Sequence, residues 1–122
     1  MNNFEELEAW KLARELRNEV SILVRKFPAE EKFRLIDQVI RSSRSVTANI
    51  AEGYGRFHYQ ENIQYCRQAR GSITETLDHL ICAKDNSYID EKVLNEYRIK
   101  INHNIKVLNG YIAYLIKRKE ES

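Results

Sequence analysis

The chain has 122 residues, 31% charged and 43% hydrophobic, with one proline, four glycines and a net charge of +2, a composition that excludes disordered, collagen-like and disulfide-scaffold classes. At this length folding hides roughly two-thirds of the open chain's surface, enough for one core and one domain. The opening "MNNFEELEAW" lacks the basic and apolar regions of a signal peptide, and no run of about 18 apolar residues occurs, so a cytoplasmic protein with no membrane partner is expected.

In chain order, Phe4, Leu7, Trp10, Ala13, Leu16, Val20, Leu23 and Phe27 recur at steps of three and four, the stripe of a first amphipathic helix. Pro28 ends it by disfavouring a helical Phe27, and the same Pro28 with Glu30 and Glu31 suits the first turn of a second helix reaching about Glu52. A third is predicted from near Tyr59 to Lys84, with Tyr59, Ile63, Cys66, Ile73, Leu77 and Leu80 or Ile81 on one face. "DNSYID" breaks it, and either Ser87 or Asp90 stands where a cap of the fourth helix belongs. There Leu94, Tyr97, Ile101, Ile105, Leu108, Ile112 and Leu115 form a near-heptad seam that ends in Lys117, Arg118 and Lys119, cations suited to a helix C-terminus. Four helices with short connections predict an all-α fold: one antiparallel up-down-up-down four-helix bundle over residues 1–122. Cys66 and Cys82, about 24 Å apart along helix three, are too distant to bond and fit no common zinc spacing.

Helices two and three each show a second face. Opposite its apolar side, helix two carries Gln38, Arg41, Ser42, Ser45, Asn49 and Glu52, where a solvated helix usually places long Lys and Glu chains. Helix three has a stripe of Tyr65, Ala69, Ser72, Thr76 and Ala83, with Gly71 beside it at a cost of about 1 kcal/mol relative to Ala. Small side chains permit close approach, so Gln38, Ser42, Ser45, Asn49, Ala69, Ser72 and Thr76 are the expected interface between copies of this chain; the alternative is a mildly polar solvent face. Arg41, Glu52, Arg70 and Glu75 lie within reach of these seams. A buried arginine needs a carboxylate, so Arg70 or Arg41 is expected to pair with Glu52 or Glu75 in a buried network.

Several chemistries are testable by spacing. "EGYGR" lacks the GKS/T of a phosphate loop and follows a helix, so Gly53 is better explained as a left-handed helix cap. None of His58, His79 and His103 has a Glu three residues before it, so no di-metal centre and no cofactor is expected. Between Arg41 and Arg70 five arginines face two acids. Arg44, Arg56 and Arg67, with Lys11, Arg14 and Arg17, offer contacts to phosphates, and Tyr54, Phe57, His58 and Tyr59 offer stacking surfaces for unpaired bases. The competing reading makes the aromatics core and the arginines solvated.

The runs "QVIRSSRSVTANIAEGYGR", "FEELEAWKLARELRNEV", "FPAEEKFRLIDQ" and "YCRQARGSITETLDHL" resemble the bacterial 23S ribosomal RNA intervening-sequence proteins, also called four helix bundle proteins. The resemblance is most specific at Gln38, Arg41, Ser45, Asn49, Ile50, Glu52 and Gly53, then at Ala69, Gly71, Ser72 and Glu75. It implies an antiparallel bundle that assembles into a ring-like homopentamer, encoded within or related to insertions in large-subunit ribosomal RNA genes. A related group, the accessory proteins of diversity-generating retroelements, is similar in fold, more basic, and associates with nucleic acid and a reverse transcriptase. The expected function is therefore a non-enzymatic scaffold or RNA-associated accessory factor, partnered by itself and by RNA or a nucleic-acid enzyme, with no small-molecule substrate. The rival is a Mg²⁺-dependent nuclease or hydrolase acting on the RNA insertion, with Glu52 and Glu75 as its carboxylates.

Overall fold

The computed structural model describes residues 3–122. Its helices are α1 (Glu8–Leu23), α2 (Leu35–Gly55), α3 (Tyr59–Asp85) and α4 (Glu91–Glu121), with single 3-10 turns at Phe4–Glu6, Val24–Lys26 and Ala29–Glu31. The first helix is thus shorter than its apolar stripe, which runs on through the flanking turns. The second begins later than Pro28 suggests. Pro28 is extended (ψ 144), the 3-10 turn Ala29–Glu31 follows it, and Arg34 leaves the helical region before Leu35 starts the helix. The Glu31 carboxylate there accepts the Tyr88 hydroxyl at 2.8 Å, which ties the α1–α2 connection to the α3–α4 connection.

The other ends follow the local chemistry. His58 caps α3 through a ring nitrogen, and Asp90 caps α4 by accepting the Val93 N–H at 2.9 Å. Ser87, in the left-handed region at φ 62, turns the chain between them.

Contacts run α1 to α2, α2 to α3, α3 to α4 and α4 back to α1. Along sequential helices the paired positions run in opposite senses: Ser42 with Thr76 and then Ser45 with Ser72 across α2–α3, and Asn62 with Tyr111 and then Arg70 with Asn109 across α3–α4. These two pairs of neighbours therefore run antiparallel. The core holds Leu16, Val20, Val39, Val46, Ile50, Ile63, Cys66, Ile73, Leu80, Ile101 and Leu108, each fully buried side chain of this size contributing roughly 1.5–3 kcal/mol.

The small-residue stripes of α2 and α3 meet each other. Ser42, Ala69 and Thr76 are buried inside the single chain. The Ser42 and Thr76 hydroxyls lie 2.8 Å apart, those of Ser45 and Ser72 lie 3.0 Å apart, and Asn49 donates to Ser45 at 3.0 Å. Ser42, Ala69 and Thr76 are thereby removed from the face expected to meet other copies, whereas Ser45, Asn49 and Ser72 are half-buried and Gln38 is exposed. A helix in a four-membered ring touches two neighbours, so two packing stripes are the minimum requirement within one chain.

Gly53 is also reassigned. It lies inside α2, buried, and no glycine has positive φ. A Cβ there would stand 2.8 Å from Asn62 Oδ1 and 2.9 Å from Tyr65 Cβ. The residue is small because α3 crosses α2 at that point, and the helix runs on to Gly55. The left-handed turn that follows is made by Phe57, at φ 52.

The predicted buried ion network does not form. Arg41 is exposed and pairs with Asp37 one turn away, Glu52 pairs with Arg56, and Glu75 pairs with His79. Arg70 donates to Asn109 of α4 at 2.8 Å. Each charge reaches a partner at the surface, which avoids the cost of burying an ion pair; the inter-helix polar contacts of the α2–α3 seam use neutral hydroxyls instead.

Candidate nucleic-acid interface

The arginines and aromatics singled out in the sequence fall in four separate places. The first is a groove of about 610 Å³ between α1 and α2, whose lining includes Phe4, Trp10, Arg17, Arg44, Thr47 and Ala51. The 3-10 turn before α1 brings Phe4 back onto Trp10, edge to face with ring centroids 5.2 Å apart. The Arg14 guanidinium lies over the Trp10 ring, 5.7 Å from its centroid, held by the attraction of a cation to the ring face. Arg17 donates to Thr47 Oγ1 at 3.0 Å, which aims its fork across the groove floor. Among the described residues no carboxylate lies within ion-pair distance of Arg14, Arg17 or Arg44. Glu5 and Glu15 border the adjoining hollow on the far side of Trp10.

The second place is the α2–α3 turn. Arg56 sits over the Tyr65 ring and donates to its hydroxyl at 2.8 Å, with Glu52 at 3.5 Å and Glu61 at 4.0 Å. Its charge is already matched. His58 Nδ1 accepts the Glu61 N–H at 3.4 Å, so this nitrogen serves as a cap. Tyr54 and His58 also line a third region, an aromatic cavity at that end of the bundle. Arg67 stands apart, in a hollow shared with Gln60 and Lys119 on the α3–α4 side.

Arg44, Arg56, Arg67, Tyr54 and His58 are therefore not one surface. Arg44 alone joins the α1–α2 groove, which Arg17 also lines, while Arg14 lies over Trp10 and lines the adjoining hollow with Glu5 and Glu15. Trp10 and Phe4, read from the sequence as core stripe, are half-buried rings that face this groove. The signal available was their spacing against Arg14 and Arg17: four and seven residues on from Trp10 fall on one helix face. Glu52 and Glu75, the carboxylates of the nuclease reading, are occupied by Arg56 and His79. Among the described residues no three His, Cys, Asp or Glu side chains cluster so as to hold a metal ion.

Burial sets the protonation of three groups. Cys66 is pushed up to about 12, and Tyr97 and Tyr111 likewise to about 12, each chiefly by loss of water around the charged form. Both cysteines are free thiols, Cys66 buried and Cys82 exposed. Among the described residues no helix is long and apolar enough to cross a membrane.

Fold and surface define a four-helix-bundle protein with an arginine- and tryptophan-lined groove between its first two helices. The chain belongs to the 23S rRNA-intervening sequence protein family, whose model matches residues 5–110. No curated protein matches it.

Proposed function

We propose that this chain is a non-enzymatic, self-associating helical scaffold of the cytoplasm that binds RNA along its α1–α2 groove. The observation that carries the reading is the groove itself: a Trp10–Phe4 step flanked by Arg14, Arg17 and Arg44, none held by a carboxylate among the described residues. Unpaired guanidiniums exchange condensed counterions for phosphates, and an exposed aromatic edge suits a base or sugar. With a net charge of +2 one copy binds weakly, whereas several copies in one assembly present the groove repeatedly and gain avidity.

Self-association is supported by glycines that the single chain does not explain. Gly71 and Gly110 lie within long helices, are exposed, and have nothing within 4 Å of where a Cβ would stand. Each costs about 1 kcal/mol relative to Ala, a cost that a close contact with another copy offsets. The family resemblance implies a ring-like homopentamer. Two free thiols suit a reducing compartment.

Fluorescence anisotropy with a structured ribosomal RNA fragment tests the binding. The expected affinity falls with added salt, and Arg17→Gln with Arg44→Gln lowers it at least tenfold while flattening that dependence. Affinity indifferent to salt and to both substitutions overturns the groove. Light scattering tests assembly: a monomeric mass at all concentrations, unchanged by Gly71→Arg, removes the scaffold. RNA cleavage in Mg²⁺ that is lost in Glu52→Ala would replace this reading with a nuclease.

A further inference from the structure

The α2–α3 turn, the start of α1 and the last turns of α4 enclose a cavity of about 550 Å³, within the size range of small-molecule sites. Its walls are aromatic: Tyr54, Phe57 and Tyr59 from the turn, and Tyr111 and Tyr114 from α4. Tyr111 and Tyr114 lie nearly parallel, 14° between planes and 6.3 Å between centroids. The buried Asn62 forms a polar floor, donating to the Tyr111 hydroxyl at 3.1 Å.

Two features show that these rings are not surplus core. Phe57 is 86% exposed at the mouth, its ring 6.0 Å from that of Tyr54. It also holds a left-handed backbone at φ 52, which disfavours a bulky side chain and is relieved by glycine. Tyr114 is 55% exposed on the opposite wall. Neither ring gains much by burial in the free protein, so their placement is explained by an occupant between them.

Charge at the rim selects the occupant. No carboxylate lines the cavity, whereas the exposed Arg118 stands one turn on from Tyr114 on the face of α4 that carries Tyr111, Tyr114 and Leu115 to it. A cationic guest would meet a like charge; a flat ring carrying an anion meets aromatic faces and then a guanidinium. We infer that this cavity takes one unpaired nucleobase, stacked against Phe57 and Tyr114, with its 5′-phosphate at Arg118. The inference deepens the RNA reading and rests on it for the source of the base; a free mononucleotide offers the same chemistry.

The test compares a short single-stranded oligoribonucleotide with a duplex carrying as many phosphates, by competition anisotropy on the full chain. Stacking of one base favours the single strand by about fivefold to a hundredfold. Phe57→Gly combined with Tyr114→Leu, both at exposed positions, should abolish that preference and leave duplex affinity unchanged; Tyr114→Phe should retain it. Titration with uridine and adenosine 5′-monophosphates separates the sources. Mononucleotide binding lost in the double variant and weakened in Arg118→Gln assigns a free nucleotide, and binding only within a strand assigns RNA. Equal affinity for both forms, a preference that survives loss of both rings, or no binding of any probe overturns the cavity. The groove fails separately, through Arg17→Gln and Arg44→Gln that leave both forms bound as before.

Discussion

The α2–α3 seam and the α1–α4 contact hold the same bundle together by opposite means. Between α2 and α3 the side chains are small, the backbones approach until Gly53 admits no Cβ, and serine and threonine hydroxyls pair across the gap. Between α1 and α4 the contact is made by long chains: Tyr97 donates to the Glu19 carbonyl at 3.4 Å, and Lys100 reaches both the Glu19 carboxylate and the Tyr97 ring. One side is fixed by steric fit and neutral hydrogen bonds; the other depends on groups that titrate or are partly wetted. A stripe of small residues therefore marks where two backbones come close, and does not itself say whether they belong to one chain.

Alkali should separate the two sides most. Cys66 rises from 9.0, and Tyr97 and Tyr111 from 10.0, to about 12 in the folded state. These are acids with raised values, so between about pH 9 and 12 the native state holds more protons than the unfolded one, and stability falls as pH rises. Full stability is present below pH 9. Amide exchange across this window should show α4, which carries Tyr97 and Tyr111, losing protection before α2, whose seam hydroxyls Ser42 and Ser45 do not titrate; simultaneous loss would contradict the contrast.

Gly53→Ala comes next. Alanine is the better helix former by about 1 kcal/mol, yet its Cβ would meet Tyr65 Cβ at 2.9 Å and the Asn62 carbonyl at 3.1 Å. Overpacking of this kind wins, for a net loss of about 2 kcal/mol. Urea denaturation with an unchanged slope checks it, and stability equal to or above the parent would refute the close crossing.

A smaller effect is expected in a double-mutant cycle of Ser42→Ala and Thr76→Val, with a coupling of about 1 kcal/mol. Thr76 also bonds the Ser72 carbonyl at 2.9 Å and Ser42 the Val39 carbonyl at 3.2 Å, so part of each single loss is local and only the cycle isolates the cross-helix bond. Smallest is Glu19→Gln, at most about 0.5 kcal/mol, because the ion pair with Lys100 is more than a third exposed on both sides and solvent screens it.

Of the site, individual parts were legible in the sequence and their grouping was not. The basic middle of the chain, the aromatics of "GYGRFHY" and the unusual glycines are visible as residues. That Arg44 faces Trp10 across α1–α2, that Arg56 is neutralised by Glu52 and Glu61, and that Tyr111 and Tyr114 return to Tyr54 depends on which helices become neighbours. Gly53 illustrates the limit: a glycine near a helix end fits a cap and a crossing equally well until the partner helix is in place.

Periodicity alone determined four helices, their apolar stripes and the bundle they build, because burial of one face at a step of three to four residues is a local property of the chain. The tertiary structure decided which second face meets which, where each charge finds its partner, and which rings line a cavity instead of the core. Those outcomes depend on distances between residues far apart in sequence, and a helical wheel contains no such distance.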